Sequence, residues 1–411
     1  MTSTIPAEDR ALRAWALAQA RSVGRGGAGP EPPAAVGGPS QELTAGITRL
    51  EGLEAEYVTC MDIGAVPGGP LLVATGSVTG RVRVWDGQTG KLLRSMQDGY
   101  QDVLSVTWNM AGGRALLAVQ SYLGGAIWDG MTAALLVRVP GALSHAPVRV
   151  RGAERFLFRR PYGGAECVID VYGPGGYYGD LRSAAESARP VLCGLADSSG
   201  TTTVVSSDRG IFKILRATET PHSGRTTTSA RLAVDADRPT LMAATGLSRD
   251  HFLLAEGFEN GFSVWEVVAN TGHRVASRLH RRGVKTLDWL DMPDHRTLLA
   301  IGCDDGSLML VGLEGPSAQV GAPGRWQTEI FDSPFDHPAI MSVTWCLPSS
   351  RQPMTAVLCE DFTVRREPGP FAAVPQEASG NKLSSGPDTP PRPDATPPPN
   401  APPPSDAPPP P

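Results

Sequence analysis

The sequence predicts an all-β chain assembled from one four-stranded unit used repeatedly. Two observations carry this reading. The first is the stretch of residues 71–86. Residues 71–75 are a short apolar run, as in a strand buried on both faces. Gly76 and Gly80 frame small residues, the composition of a tight hairpin turn. Val82 and Val84 then alternate with Arg81 and Arg83, the two-residue period of a half-exposed strand, before Trp85-Asp86 closes it. The second observation is recurrence. Third strands of the same kind end at Trp85, Trp128, Tyr172, Leu215, Trp265, Val311 and Arg366, about 43 to 55 residues apart.

Taken in order, residues 7–23 read as a short helix. Pro6 suits a first helical position, and Glu8 and Asp9 suit the positive end of the helix dipole. Leu12, Trp15 and Ala16 share one face, which makes Trp15 the candidate for docking this helix on the body of the protein or on a partner. Residues 24–38 are rich in Gly and Pro and read as a flexible linker. Gly24, Gly26 and Gly29 match G-x-G-x-x-G, but dinucleotide binding needs a strand before those glycines and a helix after them. Here the helix comes first and Pro30, Pro32 and Pro33 follow, which excludes that reading.

From residue 45 the chain repeats. First strands fall at residues 103–108, 284–289 and 341–345, each alternating apolar residues up to a Trp, with poorer versions at 57–63 and 147–152. Second strands fall at 114–120, 155–160, 202–206, 252–256, 298–302 and 355–359. Fourth strands are weaker. The last unit ends near residue 370 without a fourth strand, and residues 46–50, Gly-Ile-Thr-Arg-Leu, form a spare one before the first unit. A repeated unit cannot bury both faces alone, so the expectation is that residues 46–50 complete the last unit and protect both ends of the array.

The strand-end pairs Trp85-Asp86, Trp128-Asp129 and Trp265-Glu266, with His280 four residues before Val284 and nine before Trp289, and Asp305 in the following turn, resemble the WD-repeat β-propeller family. The resemblance spans residues 45–372 and implies a single β-propeller of seven four-stranded blades. In that family a His, a Ser, the strand-end Trp and the turn Asp form a buried hydrogen-bond network. No unit here has all four: Ile301 and Val311 replace Ser and Trp in the sixth, and Thr79 replaces Asp in the first. The resemblance gives His280 and Asp305 a structural role. The abundance of Ala, Gly, Arg, Asp and Val also resembles proteins of high-GC actinobacteria.

Residues 221–228 read as a protruding polar loop, and residues 325–336 as a second long connection. Beyond residue 372 the composition collapses: 15 of residues 373–411 are proline. That segment is expected to be a disordered or extended tail, in which Pro390 and Pro393 make a PxxP-like match.

The 411 residues carry a net charge of −5 without a basic patch, so neither nucleic acid nor a membrane surface is an expected partner. No secretory signal and no apolar run of bilayer-spanning length is visible, and a cytoplasmic, monomeric protein is expected. The six cysteines include no Cys-x-x-Cys pair and read as buried reduced thiols. No Gly-x-Ser-x-Gly, phosphate loop or zinc spacing occurs, so no catalytic residue, metal ligand or cofactor is expected. The function expected from the resemblance is a non-enzymatic scaffold that presents one rim to protein partners. Turns between second and third strands, with loops leading into first strands, place Tyr100, Tyr122, Arg160, Tyr162, Arg209, Phe258, Arg281, Arg282, Asp305 and His337 there. A contiguous aromatic cluster is the expected signature of such a rim. The alternative is an enzyme or ligand-binding disc, whose signature is carboxylates or histidines converging in the central channel.

Overall fold

The computed structural model describes residues 45–371, apart from short connecting stretches of which 184–190 and 316–325 are the longest. The expected helix and linker of residues 1–44, Trp15 included, and the Pro-rich tail of residues 373–411 lie outside the described residues.

A short strand, β1 (Gly46–Arg49), precedes seven units. Unit one is β2 (Val58–Ala65), β3 (Leu71–Ser77), β4 (Arg81–Asp86) and β5 (Leu92–Gln97). Unit two is β6 (Val103–Asn109), β7 (Leu116–Ser121), β8 (Gly124–Asp129) and β9 (Leu135–Pro140). Unit three is β10 (Val148–Arg151), β11 (Arg155–Pro161), β12 (Cys167–Gly173) and β13 (Gly176–Ser183). Unit four is β14 (Val191–Ala196), β15 (Thr202–Asp208), β16 (Ile211–Thr220) and β17 (Gly224–Ala233). Unit five is β18 (Leu241–Ser248), β19 (His251–Phe258), β20 (Gly261–Val268) and β21 (Thr271–Leu279). Unit six is β22 (Val284–Asp291), β23 (Arg296–Cys303), β24 (Leu308–Glu314) and β25 (Gln327–Asp332). Unit seven is β26 (Ile340–Cys346), β27 (Met354–Cys359) and β28 (Thr363–Pro368). Each third-strand end named from the sequence falls inside the third strand of its unit.

Each unit is an antiparallel meander, and the first strands touch one another in a closed cycle, β2 to β6, β10, β14, β18, β22, β26 and back to β2. This is a β-propeller. β1 pairs with β28, from Gly46 opposite Arg366 to Arg49 opposite Thr363, and so supplies the missing fourth strand of unit seven. Leu50 follows it into a cluster with Leu53, Ile63 and Trp85 of unit one and Ala356 and Leu358 of unit seven. The ring is thereby closed on both sides of the seam.

The sheets among the described residues number six, because units three and four share one. Their first strands β10 and β14 pair in parallel, Val150 opposite Gly194 and Arg151 opposite Leu195. Gly152 permits the approach: its φ is +82°, and a β-carbon there would sit 2.7 Å from the Ala196 carbonyl oxygen.

Two expectations about connections are corrected. Residues 224–228 are not loop but the start of β17, paired with β16 from Gly224 opposite Thr220. The β-branched run Thr226-Thr227-Thr228 fits a strand despite its polarity. Within residues 325–336, β25 forms the outer strand of unit six, with Thr328 and Ile330 half-buried between exposed Gln327 and Glu329.

The core lies in layers between successive units. Leu72, Ala74 and Val84 of unit one meet Trp108, Leu117 and Val119 of unit two, and Leu253, Ala255 and Val264 of unit five meet Trp289, Leu299 and Val311 of unit six. Burial of each large apolar side chain in these layers is worth roughly 1.5–3 kcal/mol. β3 is buried along its whole length, as its apolar run requires, while Arg81 and Arg83 of β4 remain half-buried between buried Val82 and Val84. Asp86 and Asp129, the acids that follow the strand-end tryptophans, turn back on the chain: each Oδ1 accepts two backbone N–H groups of the next turn, Gln88 and Thr89 or Met131 and Thr132. No helix of the described residues is long and apolar enough to cross a membrane.

Candidate functional site

The turns between second and third strands meet the loops that lead into first strands. Asp102 N donates to the Val78 carbonyl (3.1 Å), His280 N to Asn260 (2.9 Å), Asp304 N to Gly283 (3.0 Å) and Glu360 N to Ala339 (2.9 Å). These pairs recur on units one, five, six and seven and draw both kinds of connection onto one rim. Gly306 shows how tightly: its φ is +86°, and any β-carbon would collide with the His337 carbonyl oxygen.

Two of the residues named from the sequence are exposed on this rim. Tyr122 is 39% exposed beside Leu123 at 70%. Asp305 is exposed, and its Oδ1 accepts the Ser307 N–H (3.0 Å) and hydroxyl (2.7 Å), a contact local to its own turn. Phe258 and His337 are corrections, because both are buried. Phe258 is the last residue of β19 and is still held in the ladder opposite Gly261. His337 lies under the rim with Nε2 3.1 Å from Glu367 Oε1. Tyr100, Tyr162, Arg209, Arg281 and Arg282 lie outside the described residues, as does the side chain of Arg160, whose backbone is in β11.

No contiguous aromatic cluster is present among the described residues of the rim. The exposed side chains on units five to seven are instead mostly acidic: Glu259, Asp304, Asp305, Asp336, Glu360 and Asp361, with Lys285 and the 82% exposed Leu279 among them.

Beneath His337, Ser333 Oγ donates to Glu367 Oε2 (2.9 Å). This trio does not form a nucleophilic triad. The carboxylate stands between serine and histidine, so the imidazole has no path to the hydroxyl proton.

A second assembly lies at the axis, where sequence reasoning marked nothing. Asp62 of β2 accepts the Trp108 N–H from β6 (2.8 Å) and the Ser342 hydroxyl from β26 (2.6 Å). Asp288 occupies the equivalent place in β22: Oδ2 accepts the Trp345 N–H (3.0 Å) and the Thr344 hydroxyl (3.1 Å) from β26. Asp288 Oδ1 accepts from Arg149 Nη2 of β10. Arg151 donates to the Trp289 carbonyl (2.7 Å) and to Asp291 Oδ2 (3.0 Å), and the Thr245 hydroxyl of β18 reaches Asp291 as well.

Burial raises the Asp62 carboxyl above its ordinary range, opposed by the Ser342 and Trp108 donors and by Arg149. Asp288 raises the Arg149 guanidinium against the opposing effect of burial. The carboxylates that converge in the channel are therefore matched with arginines. Among the described residues no group of three or more His, Cys, Asp or Glu side chains is placed to hold a metal ion. The signal for this assembly was in the sequence: Asp62 and Asp288 stand four residues into their first strands, each just before a large apolar residue, and Arg149 and Arg151 alternate in the first strand of unit three.

No protein-family model matches the chain, and no curated protein matches it. Among solved structures it is similar to that of U3-55K, at TM-score 0.51 and 14% identity over 79% of this chain and 98% of that one. It is equally similar to a chain of the mitotic checkpoint complex, at TM-score 0.51 and 15% identity over 84% of this chain and 98% of that one. The crystal structure of the RRP9 WD40 repeats aligns at TM-score 0.49 and 14% identity, over 76% of this chain and 90% of that one. At such identities the likeness concerns the fold.

Proposed function

The chain has the fold of a WD40-type β-propeller, and we propose that it works as a non-enzymatic scaffold that engages a protein partner through the rim described above. The observation that carries the proposal is the gathering of turns and incoming loops from units one, five, six and seven onto that single rim. Exposed Leu123 and the acidic arc from Glu259 to Asp361 give that face its character. Recognition on such a face is polar at the acidic arc, with Tyr122 and Leu123 as its apolar anchor. A monomeric disc in the cytoplasm, with neither nucleic acid nor a membrane as its target, is part of the same proposal. Arg149 and Arg151, the groups best suited to meet an anion in the channel, are already engaged by Asp288 and Asp291, which argues for the rim over the channel.

The test is affinity capture from the native cell lysate with the full chain as bait, in three forms. The first is wild type, the second carries Leu123→Ser, Glu259→Lys and Glu360→Lys on the rim, and the third carries Lys91→Glu at the β4–β5 turn. A stoichiometric protein held by the first and third and lost by the second is the expected result. Equal retention by all three overturns the rim assignment. A purified chain that brings a small molecule or metal and no protein overturns the scaffold reading.

A further inference from the structure

The polar groups at the axis connect strands that the ring itself does not make neighbours. β10 of unit three and β22 of unit six are separated in the cycle by β14 and β18 on one side and by β6, β2 and β26 on the other. Arg149 and Arg151 of β10 nonetheless reach Asp288, Asp291 and the Trp289 carbonyl of β22. Around that bridge the remaining acceptor oxygens are filled from the other units. Thr245 of unit five binds Asp291, and Thr344 and Trp345 of unit seven bind Asp288. On the near side, Asp62 of unit one holds Trp108 of unit two and Ser342 of unit seven, and its charge is felt by Arg149. Six of the seven first strands thus share one polar network. The seventh, β14, joins through its parallel pairing with β10.

We propose that the Arg149–Asp288 and Arg151–Asp291 pairs form a strap across the propeller channel, which holds opposite sides of the ring together and shuts the channel, independently of the β1–β28 closure. The strap also accounts for the shared sheet of units three and four. Two arginines anchored on β22 hold β10 toward the axis, where Val150 and Arg151 come alongside Gly194 and Leu195. What remains beside the strap is a cavity of about 80 Å³ against Cys193, Met242 and Trp289, room for a few water molecules. The energetic logic is that of a buried pair. Asp288 is only 4% exposed, so removing Arg149 leaves a carboxylate out of water with its closest cation gone, Arg151 standing 4.0 Å from it. Removing both charges removes that group and leaves Asp62, which loses Arg149 but keeps its Ser342 and Trp108 donors.

The experiment is a double-mutant cycle on the full chain with Arg149→Met, Asp288→Asn and the two combined. Each protein is followed by urea unfolding and by amide hydrogen exchange of residues 191–196 and 363–368. Each single substitution is expected to lower the folding equilibrium constant by about a hundredfold. The double variant should lose less than the product of the two, with a coupling of about tenfold or more. Exchange in 191–196 should quicken in the single variants while 363–368, paired with β1, keeps its protection. Additive losses, or unchanged exchange in 191–196, overturn the proposal. Should a single variant not fold, a double variant that folds supports the strap. A double variant no better than the worse single overturns it.

Discussion

Trp265 Nε1 donates to Glu256 Oε2 over 2.7 Å, at the place where Trp85 Nε1 of unit one donates to Thr75 Oγ1 over 3.2 Å. In both units the acceptor stands two residues beyond the second-strand residue paired with the tryptophan, Val73 in one case and Leu254 in the other. Unit five therefore keeps the tryptophan's partner but makes it a fully buried carboxyl.

Burial pushes the Glu256 carboxyl up to about 7, against the opposing Trp265 hydrogen bond. Below the unfolded value, near 4.5, both states are protonated and the group contributes nothing to the pH dependence. Between there and about 7 the unfolded chain ionises first, so stability falls as pH rises, by about 3 kcal/mol in full. Glu256→Gln retains an oxygen for Trp265 and removes the ionisation. Urea midpoints should decline from pH 5 to pH 8 in the wild type and flatten over that range in the variant. Parallel pH profiles would contradict the assignment.

Unit one offers the neutral counterpart. Thr75→Val keeps the shape of the side chain and strands the indole N–H of Trp85, which is 1% exposed. The expected cost is about 1–3 kcal/mol, independent of pH, read from urea unfolding. A loss below about 0.5 kcal/mol would mean that this hydrogen bond does not stabilise the fold.

These two tryptophans also show what the sequence made legible. Alternation along the third strands and the glycines before them are local signals, and they located every third strand; β1 as the closing strand followed from the fourth strand that the last unit lacks. The axial network was less visible because an isolated Asp or Arg in an alternating strand reads as solvent-facing. Only the ring turns the exposed side of a first strand toward other first strands, and so brings Asp288 to Arg149. Phe258 and His337 were misplaced for a related reason. Position in a turn fixes which rim a residue lies near, while burial depends on whether the backbone is still held in a ladder, as at Phe258, or pinned beneath a neighbouring turn, as at His337 by Gly306.

The seam has its own test. Leu50 is 3% exposed and ties β1 to units seven and one together, while Arg366 donates to the Thr48 hydroxyl (3.1 Å) and to the Gln88 carbonyl (3.1 Å). Leu50→Ala should cost about 2–5 kcal/mol and open the seam first. Limited proteolysis should then cut near residues 45–53 before the body of the chain. Cleavage elsewhere at the same rate would show that β1 is not the weak point of closure.

The cysteines give a chemical readout of the packed layers. Burial pushes the Cys60 and Cys346 thiols up to about 12 and Cys359 up to about 11, and Cys193 is raised as well, by burial and then by the charge of Glu256. The thiolate is the reactive form, so at pH 8 these four side chains have almost none to offer, and the strands around Cys193, Cys346 and Cys359 also exclude the reagent, while Cys60 is half-buried. Native protein treated with iodoacetamide at pH 8 should leave the tryptic peptides containing Cys60, Cys193, Cys346 and Cys359 unmodified, and all four should label in 8 M urea. Because Cys346 belongs to the cluster that joins units seven and one, Leu50→Ala should make it the first of the four to react. Labelling of Cys193 ahead of Cys346 in that variant would place the first opening of the ring in unit four instead of at the seam.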